Sequence, residues 1–245
     1  MKAEILFDKE AIDKSLHTGW GVSFLLNQEV LFDTGENGCW LLENMRSLKV
    51  DIDKITAVVI SHDHWDHTGG LWELLKNKEG LKVYACPGFG PEFKKKVKKL
   101  KGRLIETEKT TEIAERIFAT GEIAGEYKGR YISEQALVAR TEKGLTVITG
   151  CSHPGIIKIV KQVKKDFPHE KIHLVFGGFH LIGRYISKYM GGYGRKAKLI
   201  AEELKKMGIE KVGPTHCTGY GAQLIFKHVY KDNFVSVKIG QTFEI

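Results

Sequence analysis

Three imidazoles and two carboxylates fall within six consecutive residues, His62-Asp63-His64-Trp65-Asp66-His67, preceded by Ser61. The cluster follows a short apolar run rich in Val and Ile, residues 55–60, which reads as a buried strand. A hydrophobic core has no use for such a segment, and a solvated loop rarely gathers so many imidazoles. On extended backbone His62 and His64 stand at i and i+2 and project to one side, where they can chelate a single cation. Asp66 and His67 come as the chain turns toward a helix expected near residues 71–76, and they can face a second cation. Gly69-Gly70 permits that sharp turn. Imidazole with carboxylate suits zinc, and also iron or manganese. The ligand types and their spacing therefore point to two divalent cations rather than to a purely structural polar loop.

Around this motif the chain reads as one domain over residues 1–245, since no Pro- or Ser-rich linker, repeat or low-complexity stretch divides it. Residues 22–26 and 29–33 are β-type runs split by Asn27-Gln28, a hairpin; residues 137–140 and 145–149 form a second one around Glu142-Lys143-Gly144. Further strands are expected at 83–85, 172–176, 212–214 and 235–239. Helices are expected at 41–48, 156–165 and 195–207, the last closed by Gly208. Strand pairs lead each half and helices follow. That order predicts an α+β chain with two β-sheets packed face to face and helices outside.

The formal net charge is +8, and much of it sits in residues 94–103. Phe93, Val97 and Leu100 recur there at i, i+4 and i+7, so one stripe can pack while the lysines face water. Aromatic residues are not interleaved as on a base-stacking platform, which argues against a nucleic-acid partner. A basic surface favours a small anionic substrate. No apolar run approaches the ~18 residues of a membrane span, and the N-terminal MKAEILFDKE lacks the apolar centre of a secretory signal. Cys39, Cys86, Cys151 and Cys217 are scattered without C-x-x-C spacing, which fits a reducing, cytoplasmic compartment better than a disulfide framework. The oligomeric state stays open, a homo-oligomer included.

His-x-His-x-Asp-His after a strand resembles the signature of the metallo-β-lactamase superfamily. Leu31-Phe32-Asp33-Thr34-Gly35, Thr149-Gly150-Cys151 and Pro214-Thr215-His216 resemble three further segments of that family. Within it, Cys151-Ser152-His153-Pro154-Gly155, Gly177-Gly178-Phe179-His180-Leu181 and His216-Cys217-Thr218-Gly219 look like the branch of the dihydropterin-6-methyl-4-(ribofuranosyl)aminobenzene phosphate synthases. The resemblance implies a four-layer αββα sandwich with one or two metals at one edge of the sheets. It implies that His62, His64, Asp66 and His67 ligate metal, that Asp33 supports them, and that His216 supplies the last imidazole. Cys151 stands where the family usually places a bridging Asp; it is either a thiolate ligand or a buried strand-end cysteine. The family's usual third His of the first site has no counterpart, because residues 102–137 contain no His. His153, two residues past Cys151, is the natural replacement.

His180 follows the expected strand at 172–176. Its role is a substrate-facing acid, with a metal ligand and an orienting residue as alternatives. The Gly-rich, cationic and aromatic segment 183–195 reads either as a lid whose Arg184, Lys188 and Arg195 bind a phosphate, or as a glycine loop with solvated charges. The expected activity is a metal-dependent hydrolase of a small anionic ester, with Asp66 and His180 as catalytic groups. The alternative is a transferase joining a pterin pyrophosphate to an arylamine ribose phosphate, since the same ligands serve both. A flavin-fused redox enzyme or a processing nuclease would need a further domain.

Overall fold

The computed structural model describes residues 1–182 and 192–245, apart from the side chains of residues 192 and 193. In its first half lie β1 (Lys2–Phe7), β2 (Ser23–Leu26), β3 (Val30–Phe32), α1 (Gly38–Ser47), β4 (Ala57–Val59), α2 (Trp65–Thr68), α3 (Leu71–Asn77), β5 (Lys82–Ala85), α4 (Pro91–Lys99) and β6 (Arg103–Glu106). The second half holds β7 (Thr111–Ala114), β8 (Ile117–Ala119), β9 (Ile123–Tyr127), β10 (Arg130–Glu134), β11 (Leu137–Thr141), β12 (Gly144–Thr149), α5 (Ile156–Asp166), β13 (Ile172–Gly178), α6 (Gly192–Lys206), β14 (Lys211–Thr215), α7 (Tyr220–Tyr230) and β15 (Thr242–Glu244). Among the described residues these strands form a seven-stranded sheet, β15-β1-β2-β3-β4-β5-β6, a six-stranded sheet, β14-β13-β12-β11-β8-β7, and the hairpin β9-β10.

Period-two alternation sorts the apolar side chains into three layers. Phe24, Leu26, Phe32, Ala57 and Val59 of the first sheet face Leu137, Ala139, Ile148, Leu174 and Phe176 of the second, so this cluster lies between the sheets. The alternate residues Leu25, Leu31, Val58 and Val83 pack with Leu41, Met45, Leu71, Leu74 and Val97 of α1, α3 and α4. On the far side Val138, Val147, Val175 and Val212 pack with Ile159, Val163, Ala201, Leu204 and Phe226 of α5, α6 and α7. The result is the expected sandwich of helices, sheet, sheet and helices.

Asn27 and Gln28 both take left-handed φ, 50° and 60°, which matches the twist of the β2–β3 hairpin. α4 buries Phe93 and Val97 and leaves most of its lysines in water. The strand expected at 235–239 is not formed. Among the described residues that segment makes one isolated bridge, Ala11 with Ile239, next to a second from Val212 to Phe234, and the last strand, β15, pairs with β1. The hydrophobicity there serves burial of Val237 and Ile239 rather than a ladder.

Both sheets change direction midway. β3, β4, β5 and β6 run parallel, as do β12, β13 and β14, while their neighbours are antiparallel. The carboxyl ends of parallel strands are where open α/β sheets place their ligands. Asp33, Ser61, Cys151, His180 and His216 each lie within two residues of such an end, following β3, β4, β12, β13 and β14. Among the described residues no helix is long and apolar enough to cross a membrane.

Candidate metal centre

The loop after β4 is anchored by a single buried carboxylate. Asp33 Oδ1 accepts the Ser61 amide at 2.7 Å, and Oδ2 accepts the Ser61 hydroxyl and His67 Nδ1–H, each at 2.7 Å. The Ser61 hydroxyl, its proton committed to Asp33, is left to accept His62 Nδ1–H at 2.8 Å. One carboxylate therefore fixes the tautomers of two histidines, and each presents its Nε2 outward. Among the described residues His62 Nε2 is buried and has no hydrogen-bond partner. A buried polar atom in that state calls for an ion or a water, and the neighbouring imidazoles favour an ion. Gly150 completes the support: a Cβ there would collide with Ser61 Oγ and Asp33 Oδ2, so only glycine lets β12 end so close.

Two clusters form around this anchor. His62, His64 and His153 bring three imidazole nitrogens together, and Asp66, His67, Cys151 and His216 bring four donor atoms together, within 4.8 Å of one another in each case. The His62 and His67 rings are 4.1 Å apart, so the clusters adjoin. In the second, Cys151 Sγ lies 3.3 Å from His67 Nε2 and 3.4 Å from His216 Nε2, and Asp66 Oδ2 lies 3.6 and 3.5 Å from the same two nitrogens. A tetrahedral zinc site with ordinary bond lengths has ligand–ligand edges of about 3.4–3.6 Å. The donor set, Cys151 included, thus has the spacing that one divalent cation requires. His216 differs from the other imidazoles: the Gly21 amide donates to its Nδ1 at 3.3 Å. Presenting Nε2 to a cation requires this long contact to be given up.

The electrostatics prepare both clusters. Burial and the neighbouring His67 and His153 hold His62 well below the usual imidazole range, and burial with His153 lowers His64, so both are neutral donors. For Asp66 burial acts upward, but His216 and His67 outweigh it and hold the carboxyl down to about 2. For His67 burial acts downward, yet Asp33 and Asp66 outweigh it and push the imidazole up to about 9. Burial pushes the Cys151 thiol well up, so its thiolate needs a cation.

Glu134, at the end of β10, is a site residue that sequence reasoning missed. Its oxygens accept the amides of Cys151, Ser152 and His153 at 3.1, 2.6 and 2.7 Å, and His153 Nδ1–H at 2.9 Å. It does for His153 what Asp33 does for His67. Its partners lie 17–19 residues further along the chain, so no local spacing reveals it. The sequence likewise marks no role for Cys217 or Ser61.

His180 takes a left-handed φ of 47°, its ring 4.6 Å from that of His153 and 5.8 Å from Tyr127. The Cys217 sulfur beside it raises its pKa, against burial. Of the proposed phosphate-binding residues, Arg184 and Lys188 lie outside the described residues, and Arg195 is exposed in the first turn of α6. A cavity of about 580 Å³ opens instead beside the first cluster, lined by His64, Asp63, Tyr127, Lys128, Arg130 and Tyr131. Tyr127, which shares that lining with His64, packs on the imidazoles, 4.9 Å from His64 and 5.1 Å from His153. Asp63 points away from the donor clusters and accepts the Gly90 amide at 2.8 Å.

Residues 19–158 match the metallo-beta-lactamase superfamily, and the chain belongs to that family. It is similar to the 7,8-dihydropterin-6-methyl-4-(beta-D-ribofuranosyl)-aminobenzene-5'-phosphate synthase of Methanocaldococcus jannaschii, 32% identical over 268 residues that cover 90% of this chain and 88% of that protein. Among solved structures, Tm1679, a metal-dependent hydrolase of the beta-lactamase superfamily, is 29% identical with a TM-score of 0.81, covering 100% of this chain and 99% of that one. YhfI of Bacillus subtilis, a metallo-beta-lactamase fold protein, shares the fold at 16% identity and a TM-score of 0.68, over 99% and 98% of the two chains. Family and fold expectations are thereby borne out.

Proposed function

We propose that the chain is a metal-dependent hydrolase of a small anionic ester, with a phosphoester as the leading substrate class. The observation that supports this most directly is the pair of adjoining donor clusters, three and four ligands, opening at His64 onto a cavity with two cationic side chains. Bound there, two divalent cations, zinc by donor chemistry and iron or manganese by the same logic, would supply Lewis acidity and lower the pKa of a water. Lys128 and Arg130 bind the anion at the cavity, and Tyr127 packs against its body. Asp66, held ionised, orients the attacking water. His180, with its raised pKa, delivers a proton to the leaving group. The free cysteines fit a cytoplasmic setting.

The similarity to the M. jannaschii synthase favours a second reading, a transferase that joins a pterin pyrophosphate to an arylamine ribose phosphate. Incubation in H₂¹⁸O with a panel of phosphodiesters, lactones, thioesters and pterin pyrophosphate separates the two. Hydrolysis places one ¹⁸O in the product of a single ester class. Turnover that requires an arylamine and incorporates no ¹⁸O would replace this proposal by the transferase.

A further inference from the structure

A third group of donors overlaps the reading above, which uses Cys151 and His180 separately and leaves Cys217 without a role. Cys151, His180 and Cys217 place two sulfurs and one imidazole nitrogen within 4.8 Å of one another. On a tetrahedral zinc-sized cation two thiolates stand about 3.8 Å apart, so the group needs at most a shift of about an ångström to close. Both thiols are buried, Cys217 at 4% and Cys151 at 5% exposure. Among the described residues Cys217 Sγ makes one weak hydrogen bond to oxygen, 3.5 Å to the Cys151 carbonyl, and His180 Nδ1 is buried with no hydrogen-bond partner by geometry. The segments that carry them are fixed to one another. The Leu181 and Ile182 amides both donate to the Cys217 carbonyl at 3.0 Å, and the Phe179 amide donates to Thr218 Oγ1 at 3.0 Å. Gly178 keeps the space open, since a Cβ there would sit 2.7 Å from Cys217 Sγ and 3.3 Å from Cys151 Cα.

We infer that Cys151, His180 and Cys217 form a third cation seat, selective for a thiophilic d¹⁰ ion such as zinc, cadmium or copper(I). Two thiolates and an imidazole are soft donors, whereas the His62 cluster has no sulfur and the Asp66 cluster has one. Cys151 is shared, and its sulfur bridges this seat and the Asp66 cluster. Filling the seat takes His180 out of proton transfer, so under the reading proposed above excess thiophilic metal inhibits the enzyme. The binding itself does not depend on that reading.

The test is a cadmium titration of the full chain, stripped by chelator, in a Cys39→Ser background that removes the exposed thiol. Bound Cd²⁺ is counted by equilibrium dialysis and followed by thiolate-to-cadmium absorption in the near ultraviolet. Three equivalents are expected for the parent and two for Cys217→Ala, with weaker absorption. His180→Asn, half-buried and less exposed to folding defects, is also expected to bind two. Circular dichroism confirms that each variant is folded. A parent that binds only two equivalents, or the same count in the parent and in either folded variant, overturns the seat. Full turnover with the third equivalent bound would refute the acid role of His180 and leave the seat intact.

Discussion

Glu134→Gln tests whether a buried carboxylate, not merely a polar side chain, holds the first cluster together. The amide oxygen of Gln can replace Oε1 and keep the Cys151 and Ser152 amides. Its NH₂ then faces the His153 amide and His153 Nδ1–H, which are both donors and now bond to Oε2 at 2.7 and 2.9 Å. Hydrogen bonds to a charged group contribute about 1.5–3 kcal/mol each. The backbone bond affects stability, and the ring bond sets the His153 tautomer. Losing the ring bond alone corresponds to about a 10–150-fold weaker hold on the cation by His153, at 1.4 kcal/mol per tenfold, which overlaps the 10–100-fold seen when an orienting partner of a metal ligand is removed. The offset is the burial cost of the carboxylate, which Gln does not bear, so melting should fall by less than the two bonds suggest. The assay is competition with a chromophoric chelator, resolved into two binding events. One event should weaken by the stated factor, and the event involving His67 should move by less than threefold. If both constants stay at their wild-type values, the Glu134–His153 bond has no part in metal binding. If both fall equally, the two clusters are not separately anchored.

His64→Ala should remove one equivalent of metal and abolish turnover, and Asp66→Ala should do the same for the other, both read by elemental analysis. Asp63→Asn should cost less than tenfold in kcat/KM, because Asp63 bonds Gly90 and not the clusters, whereas Asp66→Asn should cost at least a hundredfold. In the metal-free chain the His67 imidazolium stabilises the fold fully below its unfolded pKa of about 6.5, and this is lost as pH rises through its folded value of about 9. Stability by urea titration should therefore drop by about 3 kcal/mol between those limits, and Asp33→Asn should flatten the slope. His180→Ala should retain the first two cations and lower kcat by roughly 10²–10⁴-fold, with a smaller loss on a nitrophenolate ester that needs no proton; equal losses on both substrates would exclude the acid role.

What the sequence discloses about this centre depends on how local each contact is. The candidate ligands of the loop after β4 are legible because four of them sit within six residues. His153 and His216 are legible through the strand ends that deliver them. The two hairpins and the helices were readable from period and turn chemistry. The segment 102–134 was not, because its strands are short, half-exposed and lack clean alternation: β6 and β7 carry no fully buried residue. That segment hides Glu134, whose value comes only from folding β10 back onto the loop after β12. The same applies to Cys217. It looks like an ordinary buried thiol until β13 and β14 set it against His180. Residues 235–239 mislead in the opposite sense, since an apolar run can be buried without a partner strand.

Each half of the sandwich brings its own carboxylate to the shared edge. Asp33, after β3, orients His67 directly and His62 through the Ser61 hydroxyl. Glu134, leading into β11, orients His153 and gathers the amides around Cys151. The first cluster therefore draws on both anchors, His62 on one and His153 on the other, while in the second Asp33 alone orients an imidazole. A rigid-body shift of one sheet against the other would separate His62 from His153 before it disturbed the bond between Asp33 and His67. The core between the sheets, with Phe24 against Phe176 at 5.1 Å, is then part of the metal centre's support. Large-to-small changes there should loosen the first cation ahead of the second, although they lie in the layer between the sheets and touch neither.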